Sequence, residues 1–300
     1  MRIRQDFMDA IRIERLLTTA QHDQAVELQK HYWGIDASNL VPRHMLFSIS
    51  HYGGHILGAY DGKDLVGFVI GFVGTDIDVD DRDARPAMAN LLIMSKRMLV
   101  LPAYRGRNIG YRLKMAQRDI AMKQAIRLVT WTVDPLLAAN AHLNIRKLGA
   151  VIQRFSANYF GLDEPESLRA DRLIVEWWVA HRRVVARAAG RGSKLTLRQY
   201  LDVRAPIVNR SDGGGDWLVP RAMTAVPGSS FALVEIPADF RELEAAHRPL
   251  AGQWRYHIRD VFSKMLAADF VVTDFVSDQF EGRMRAFYLL SRHFDDDRKN

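Results

Sequence analysis

The chain is organised around the stretch Met98-Leu99-Val100-Leu101-Pro102-Ala103-Tyr104-Arg105-Gly106-Arg107-Asn108-Ile109-Gly110. Its apolar first part ends at a proline, and a basic turn that contains glycine follows. Beyond the turn, apolar residues recur at helical spacing, at Ile109, Leu113, Ala116 and Ile120. The other faces of this predicted helix are left to its basic residues, Arg112, Lys114, Arg118 and Lys123.

A strand, a loop and a helix in this order predict an anion-binding site. The backbone N–H groups of the loop and the positive end of the helix dipole point at one place, which suits a phosphate or pyrophosphate. Arg105 and Arg107 would add charge-assisted hydrogen bonds. The alternative interpretation is an ordinary strand-to-helix turn with surface arginines.

The order of residues in this turn resembles the pyrophosphate-binding signature of the GNAT superfamily of CoA-dependent N-acyltransferases. The family pattern is Arg/Gln-x-x-Gly-x-Gly/Ala, and this chain reads Arg105-Gly106-Arg107-Asn108-Ile109-Gly110. Asn108 stands where the first glycine of the pattern is usual. Because asparagine tolerates positive φ better than most residues, we expect the turn to survive. The resemblance implies that residues 105–110 hold the pyrophosphate of an acyl-CoA.

Composition limits the class of protein. A chain of 300 residues with 48% apolar content can form two domains with real cores. The absence of cysteine excludes disulfides, thiolate metal sites and an acyl-cysteine intermediate. Because the net charge of +7 is modest for this length and no nucleic-acid-binding motif accompanies it, we expect no nucleic-acid partner. With no signal-peptide core and no membrane-length apolar run, we expect a cytoplasmic protein with no membrane partner.

Metal binding is not expected either. The acidic run at residues 76–83 lacks the glycine and the terminal glutamate of a calcium loop, so we expect a solvated loop there. The ten histidines form no pair with convincing ligand spacing.

The hydrophobic pattern predicts an α/β fold. Predicted strands lie at residues 11–16, 55–60, 65–75, 91–101, 126–134, 151–155 and 172–179. Predicted helices lie at residues 23–32 and 43–52, after Gly110, and at residues 139–148. This is the GNAT order of elements, so the resemblance covers about residues 8–181 and implies a mixed central sheet flanked by helices.

Three segments are expected: a GNAT acyltransferase domain over residues 1–181, a connector over residues 182–229 and a C-terminal α/β subdomain over residues 230–300. The connector is basic and predicts little regular structure outside residues 197–203; its arginines either form a solvated face or contact an acidic ligand. The subdomain repeats the strand, helix, strand, strand order of residues 126–179. It is therefore interpreted as a degenerate GNAT half-repeat without a phosphate loop, and pairing through it into a homodimer is open.

Three further segments resemble a poorly characterised subfamily of long GNAT chains. They are a Trp-Thr-x-Asp-Pro strand end at residues 131–135, an Asn-x-His-x-Asn helix at residues 140–144 and a closing strand at residues 171–177. Some relatives in this group are close to amino-acid N-acylation chemistry. The resemblance therefore implies a small-molecule amine as acceptor, with an amino acid as one candidate.

Acyl transfer to an amine needs a neutral amine, a polarised thioester carbonyl and a stabilised thiolate. By the resemblance, the backbone of Met98, Leu99 and Val100 binds the pantetheine arm, and an N–H in this segment polarises the thioester oxygen. The acyl donor is acetyl-CoA or another acyl-CoA such as succinyl-CoA, for which the connector arginines could serve a donor carboxylate.

The general acid and base are left open. Family members often carry a tyrosine four residues before the glycine that closes the helix, where this chain has Ile145. Tyr159 is a candidate acid or a packed or surface tyrosine. His142 is a candidate on the helix or a packed histidine, and Glu176 is a candidate base or one polar face of an edge strand. Asp134 binds the acceptor amine or caps the following turn.

These residues imply an acyl-CoA-dependent N-acyltransferase in which the amine attacks the thioester directly. The alternative is a non-catalytic CoA-binding or regulatory protein of the same fold, which would bind CoA without acyl transfer. A third class, an interaction protein with a decayed site, would not bind CoA.

Overall fold

The computed structural model describes residues 11–36, 40–75, 91–163, 166–192, 195–213 and 215–292, together with Phe294. The acidic run at residues 76–83, predicted as a solvated loop, lies outside these ranges. The chain divides into two compact units, Met1–Trp131 and Thr132–Asn300.

The first unit is a sheet with helices on both faces. Its strands lie in the order β1-β2-β3-β4-β5, antiparallel except for the parallel pair β4 and β5. The elements are β1 Ile11–Arg15, α1 Thr19–Trp33, α2 Arg43–His51, β2 His55–Asp61, β3 Asp64–Thr75, β4 Leu91–Val100, α3 Ile109–Lys123 and β5 Leu128–Val133, which runs into the second unit.

Alternate residues of β4 pack on opposite faces of this sheet. Leu99 belongs to the core that includes Leu28 of α1 and Leu46 of α2. Its neighbour Met98 packs against the core that includes Leu113 of α3. Because side chains alternate along a strand, β4 separates an α1/α2 face from an α3 face.

Short-range signals fix the element ends. A capping box between Thr18 and Gln21 starts α1, and Pro42 precedes the first residue of α2. The turn between β2 and β3 contains Gly62 at φ 59°, where glycine is favoured. These elements agree with the predicted ones to within a few residues.

The second unit contains an antiparallel sheet in the order β7-β6-β11-β12-β10. Its larger strands are β6 Val151–Ser156, β7 Arg172–Trp178, β10 Phe231–Ile236, β11 Val271–Phe280 and β12 Arg283–Ser291, and the short strands β8 Ser211–Asp212 and β9 Val219–Pro220 pair with each other. Its helices are α4 Ala138–Ala141, α5 Arg182–Ala188, α6 Leu197–Asp202, α7 Phe240–Ala246 and α8 Arg248–Ala267.

The predicted helix at residues 139–148 is α-helical only in its first part. It continues from α4 as a π-helical turn over His142–Lys147, with the Leu148 N–H donating to the Leu143 carbonyl at 2.9 Å. Such π turns are frequent at functional sites. The wider turn changes which residues face inward, and Asn144 is buried.

The expectation of little regular structure in the connector was wrong for residues 182–188, which form α5. The ring nitrogen Nδ1 of His181 accepts from the Arg183 N–H at 3.2 Å and caps the helix. Its buried residues are Val184 and Arg187. Because one of them is an arginine, the apolar periodicity that indicates a helix is absent.

In the C-terminal part, β12 lies between β10 and β11, and β11 pairs with β6. The elements of this part follow in the order β10, α7, α8, β11, β12, and the half-repeat stays a prediction. Among the described residues, no helix has both the length and the apolar character needed to cross a membrane.

Candidate active site

Strand β4 has a bulge at the place where it leaves β5. Ile70 pairs with Arg97 whereas Gly71 pairs with Ser95, so Lys96 is the extra residue. The described β4–β5 ladder ends at the pair of Met94 and Thr130, although β4 continues to Val100. Beyond the bulge, β4 pairs with β3 on one side, and alternate backbone groups face the side of β5. Met98, Leu99 and Val100, which the sequence predicts to bind the pantetheine arm, lie on this part of β4.

The turn that follows β4 leads directly into the N-terminus of α3. Gly106 has φ 75° and Asn108, the residue before α3, has φ 64°. The expectation that Asn108 takes the positive φ of the family glycine is therefore confirmed. The first N–H groups of a helix lack acceptors within it, so those of Ile109 and Gly110 are directed at the ligand position of a helix N-terminus.

The two arginines of the turn are exposed and rest on tyrosines. Arg105 Nη2 donates to the Tyr32 hydroxyl at 2.7 Å, and its guanidinium lies 5.4 Å from the centre of that ring. The Arg107 guanidinium lies 4.9 Å from the ring centre of Tyr104. A hydrogen bond to Asp61 raises the pKa of the Tyr104 phenol. The side chains of Tyr32 and Tyr104 thus position the two arginines at the turn.

Lys114 lies on the α3 face of this site. The helical pattern predicts that its side chain is solvated, but the structure buries it. It is 2% exposed, and its Nζ donates to Ser95 Oγ at 2.7 Å and lies 3.5 Å from the ring centre of Trp131. Ser95 and Trp131 directly follow the last β4–β5 pair. Burial lowers the pKa of Lys114 well below its usual value. The prediction of a solvated Lys114 was wrong because residues of β4 and β5 cover it. The pattern of apolar residues within α3 contains no information about these strands.

A second cation lies on the α1/α2 face of β4. Arg97 Nη1 donates to Gln29 Oε1 at 3.3 Å, and its guanidinium lies 4.5 Å from the ring centre of Trp33. Burial lowers the pKa of Arg97. The same Gln29 oxygen accepts from the Val41 N–H at 2.8 Å, which ties the chain before α2 to α1. Sequence reasoning missed both Arg97 and Gln29.

The three predicted catalytic side chains all lie in the second unit and have separate neighbours. Glu176 of β7 is buried; its Oε1 lies 3.6 Å from Arg154 Nε, and its Oε2 accepts from Trp178 Nε1 at 3.3 Å. Tyr159 is 41% exposed in the turn after β6, with its ring edge-on to Phe160 at 5.1 Å.

His142 begins the π turn, and its side chain is only partly exposed. Partial burial, followed by the charges of Lys147 and Arg146, lowers the pKa of His142, while Asp274 opposes the shift. A lowered pKa keeps an imidazole neutral at neutral pH, which a general base requires.

Asp134 was predicted either to bind the acceptor amine or to cap the following turn, and the structure shows the capping contact. Its Oδ1 accepts from the Leu136 N–H at 2.9 Å. Its Oδ2 accepts from Nη1 of Arg255 in α8 at 3.2 Å. A carboxylate held by a turn and an arginine is a structural group of the second unit.

Comparisons with known proteins place this site in a family. Residues 16–149, which include β4, the turn and α3, match the family model described as the acetyltransferase (GNAT) family. No protein of curated function matches the sequence.

Solved structures with similar folds include several acetyltransferases. The ribosomal-protein-S18-alanine N-acetyltransferase of Escherichia coli is 16% identical, over 57% of this chain and 95% of its own, with a TM-score of 0.41. Arabidopsis thaliana NAA60 in complex with acetyl-CoA is 13% identical, over 57% of this chain and 99% of its own, with a TM-score of 0.45. These values are too low to support an inference about activity, and the assignment rests on the family match. The chain therefore contains a GNAT acetyltransferase domain, matched over residues 16–149.

Proposed function

We propose that this protein transfers an acyl group from acetyl-CoA, or from another acyl-CoA such as succinyl-CoA, to the amine of a small molecule, with an amino acid as the candidate acceptor. One observation carries the proposal: β4 bulges and leaves β5 directly before the Asn108 turn and the N-terminus of α3. The edge of β4 suits a peptide-like arm, and the turn that follows it suits a pyrophosphate. A ligand that carries both groups, such as an acyl-CoA, therefore fits this arrangement.

The cradle, defined as residues 105–110, would bind the pyrophosphate through N–H groups and through Arg105 and Arg107. The backbone of Met98, Leu99 and Val100 would bind the pantetheine arm and polarise the thioester oxygen. The amine then attacks the thioester carbon, the C–S bond breaks, and the CoA thiolate leaves. Direct attack is consistent with the absence of cysteine from the sequence.

Proton transfers accompany this step. The acceptor ammonium must lose one proton before attack, and the leaving thiolate gains one, which is replaced when the attacking nitrogen loses its second proton as the amide forms. We assign the first role to His142, whose lowered pKa keeps it neutral, and the second to Tyr159, whose hydroxyl-bearing side chain is exposed. Glu176 is the less suitable base because Arg154 and Trp178 Nε1 already contact its two carboxylate oxygens.

Arg97 supports an amino acid as the acceptor. It places a partly buried guanidinium beside the bulge on the α1/α2 face, held by Gln29 and Trp33. Guanidinium groups bind carboxylates through paired hydrogen bonds. We therefore assign the carboxylate of the acceptor to Arg97.

Binding of CoA is tested first. Arg105→Ala is expected to weaken acetyl-CoA binding about tenfold or more, because a charge-assisted hydrogen bond contributes roughly 1.5–3 kcal/mol. Gly110→Leu should weaken it further by filling the approach to the helix N-terminus. Calorimetry gives the dissociation constants, and circular dichroism checks folding. Arg127→Ala, an exposed arginine outside the cradle, is the matched control.

Unchanged affinity in both cradle variants would refute the proposed site. Binding without an acylated product from any amine would instead support the non-catalytic alternative. Mass spectrometry of a mixed amino-acid pool incubated with acetyl-CoA or succinyl-CoA distinguishes these outcomes and identifies the donor.

The acceptor assignment has its own test. Arg97→Met is expected to raise the KM for the acylated amino acid about tenfold or more, because a charge-assisted pair is lost, with little change in acetyl-CoA affinity. For the corresponding amino-acid amide, which lacks the carboxylate, the wild-type and Arg97→Met proteins should have similar KM values. An equal increase for acid and amide would contradict the assignment.

A further inference from the structure

The second unit contains a cavity of about 680 Å³ between α5, α6 and the sheet. We call it the basic cavity. Arg183 and Arg187 of α5 line one side, and Asp274 of β11 lies beside them. Val203, Phe231 and Leu289 supply an apolar side. Its volume is in the usual range of small-molecule sites.

Two arginines and two carboxylates line this cavity, and Arg146, which does not line it, adds a third guanidinium group beside Asp274. Arg146 Nη1 lies 2.7 Å from Asp274 Oδ2, and Arg187 Nη2 lies 3.7 Å from Asp274 Oδ1. The same carboxylate also accepts from the Tyr200 hydroxyl at 2.7 Å. In the described part of the chain, the only other carboxylate that lines the cavity is the exposed Asp202.

Arg183 makes its described hydrogen bonds to carbonyl oxygens. Its Nε donates to Gly149 at 3.0 Å and its Nη2 donates to the Thr273 carbonyl. Burial, followed by the charge of Arg187, lowers the pKa of Arg183 to about 10. The charge of Asp274 opposes this shift, but Asp274 also pairs with Arg146 and Arg187, so three guanidinium groups share one buried carboxylate.

The backbone around the arginines is shaped to hold them. A Cβ atom at Gly149 would lie 2.9 Å from Cγ of Arg187, and one at Gly192 would lie 2.8 Å from its Nη1. The register of β11 shifts between Val272 and Asp274, which marks a bulge at Thr273. Bulges of this kind re-aim side chains beside binding sites. The Arg187 side chain therefore occupies space that a side chain at Gly149 or Gly192 would fill.

We propose that the basic cavity binds a small organic acid with an apolar body. Its carboxylate would pair with Arg183 and Arg187, and its apolar part would cover Val203, Phe231 and Leu289. Inorganic phosphate fits less well because it would leave the apolar side in contact with water. The site lies within the second unit and does not depend on the proposed acyl transfer.

Calorimetry on the full chain saturated with acetyl-CoA tests this site while any CoA site is occupied. The probes are hexanoate, 3-phenylpropionate, acetate and inorganic phosphate, with hexanol as the uncharged match of hexanoate. Hexanoate and 3-phenylpropionate are expected to bind about tenfold or more tightly than acetate, because burial of their apolar parts favours binding. Hexanol should not bind measurably.

Variants assign the binding to the cavity. Arg183→Met and Arg187→Met should each weaken hexanoate binding about tenfold or more, whereas Arg182→Met, at an exposed position of the same helix, should have no effect. Phe231→Ala, at a partly exposed strand end, should weaken the binding of hexanoate but not that of acetate. This variant tests the proposal if the arginine variants do not fold. Absence of organic-acid binding, equal affinity for phosphate, or unchanged affinity in Phe231→Ala would overturn the proposal.

Discussion

His142→Gln is expected to lower kcat/KM for acyl transfer about a hundredfold or more, which is the usual contribution of a positioned general base. The dissociation constant of acetyl-CoA should stay the same, because the cradle lies in residues 105–110. Since partial burial and neighbouring cations lower the pKa of His142, the wild-type enzyme should lose activity only when the pH falls below about 6.5. This acidic limb of the pH–rate profile should be absent from His142→Gln.

Comparison with the other candidates makes this test specific. Glu176→Gln should change the stability of β7 more than the pH profile, since its carboxylate is held by Arg154 and Trp178. Tyr159→Phe should lower kcat without removing the acidic limb. His44→Gln, an exposed histidine of α2, is the control. If Glu176→Gln removes the acidic limb and His142→Gln keeps it, Glu176 is the base and the assignment is wrong.

The sequence was sufficient to predict the order of elements because local signals mark their ends. The Asp61-Gly62-Lys63-Asp64 turn and Pro42 mark boundaries that the structure reproduces. The conformation of Asn108 was predictable for the same reason, since a positive φ is a preference of the residue itself. These features depend on neighbours within a few residues.

The buried cations were not predictable because their environments come from distant parts of the chain. Lys114 lies on a helix whose pattern assigns it to an outer face, yet Ser95 and Trp131 enclose it. Arg187 lies in a basic segment that is typical of a solvated surface, yet Gly149 and Gly192 leave the space that it fills. In both cases the sequence shows a charged residue, and only the fold shows that it is buried.

The stability of the protein is expected to fall by about 3 kcal/mol between pH 6.5 and pH 4 through His55 alone. Burial, followed by the charges of Arg15 and Lys114, lowers the pKa of His55 from 6.5 to about 4. The unfolded chain therefore binds this proton at a higher pH than the folded chain does. Above pH 6.5 the contribution to stability is complete; it is lost as the pH falls through this window.

Hydrogen bonds around His55 give the physical reason. Lys114 Nζ donates to Gln117 Oε1 at 3.2 Å, and this contact orients the amide so that Gln117 Nε2 faces His55 Nε2 at 2.8 Å. Because the amide nitrogen is a donor, His55 Nε2 must accept and carries no proton. Protonation would place two donors together in a space already closed by Gly71, where a Cβ would lie 2.4 Å from His55 Nε2.

His55→Gln keeps an acceptor for Gln117 but cannot titrate, so it isolates this contribution. Unfolding by guanidinium chloride should be measured for both proteins at pH 7.5, 6, 5 and 4, with His44→Gln as the exposed-histidine control. Carboxylates lower the stability of all three proteins alike, and the wild-type and control proteins should lose about 3 kcal/mol more than His55→Gln. Parallel losses in all three would contradict the orientation deduced for Gln117, because a histidine free to donate from Nε2 would tolerate the proton.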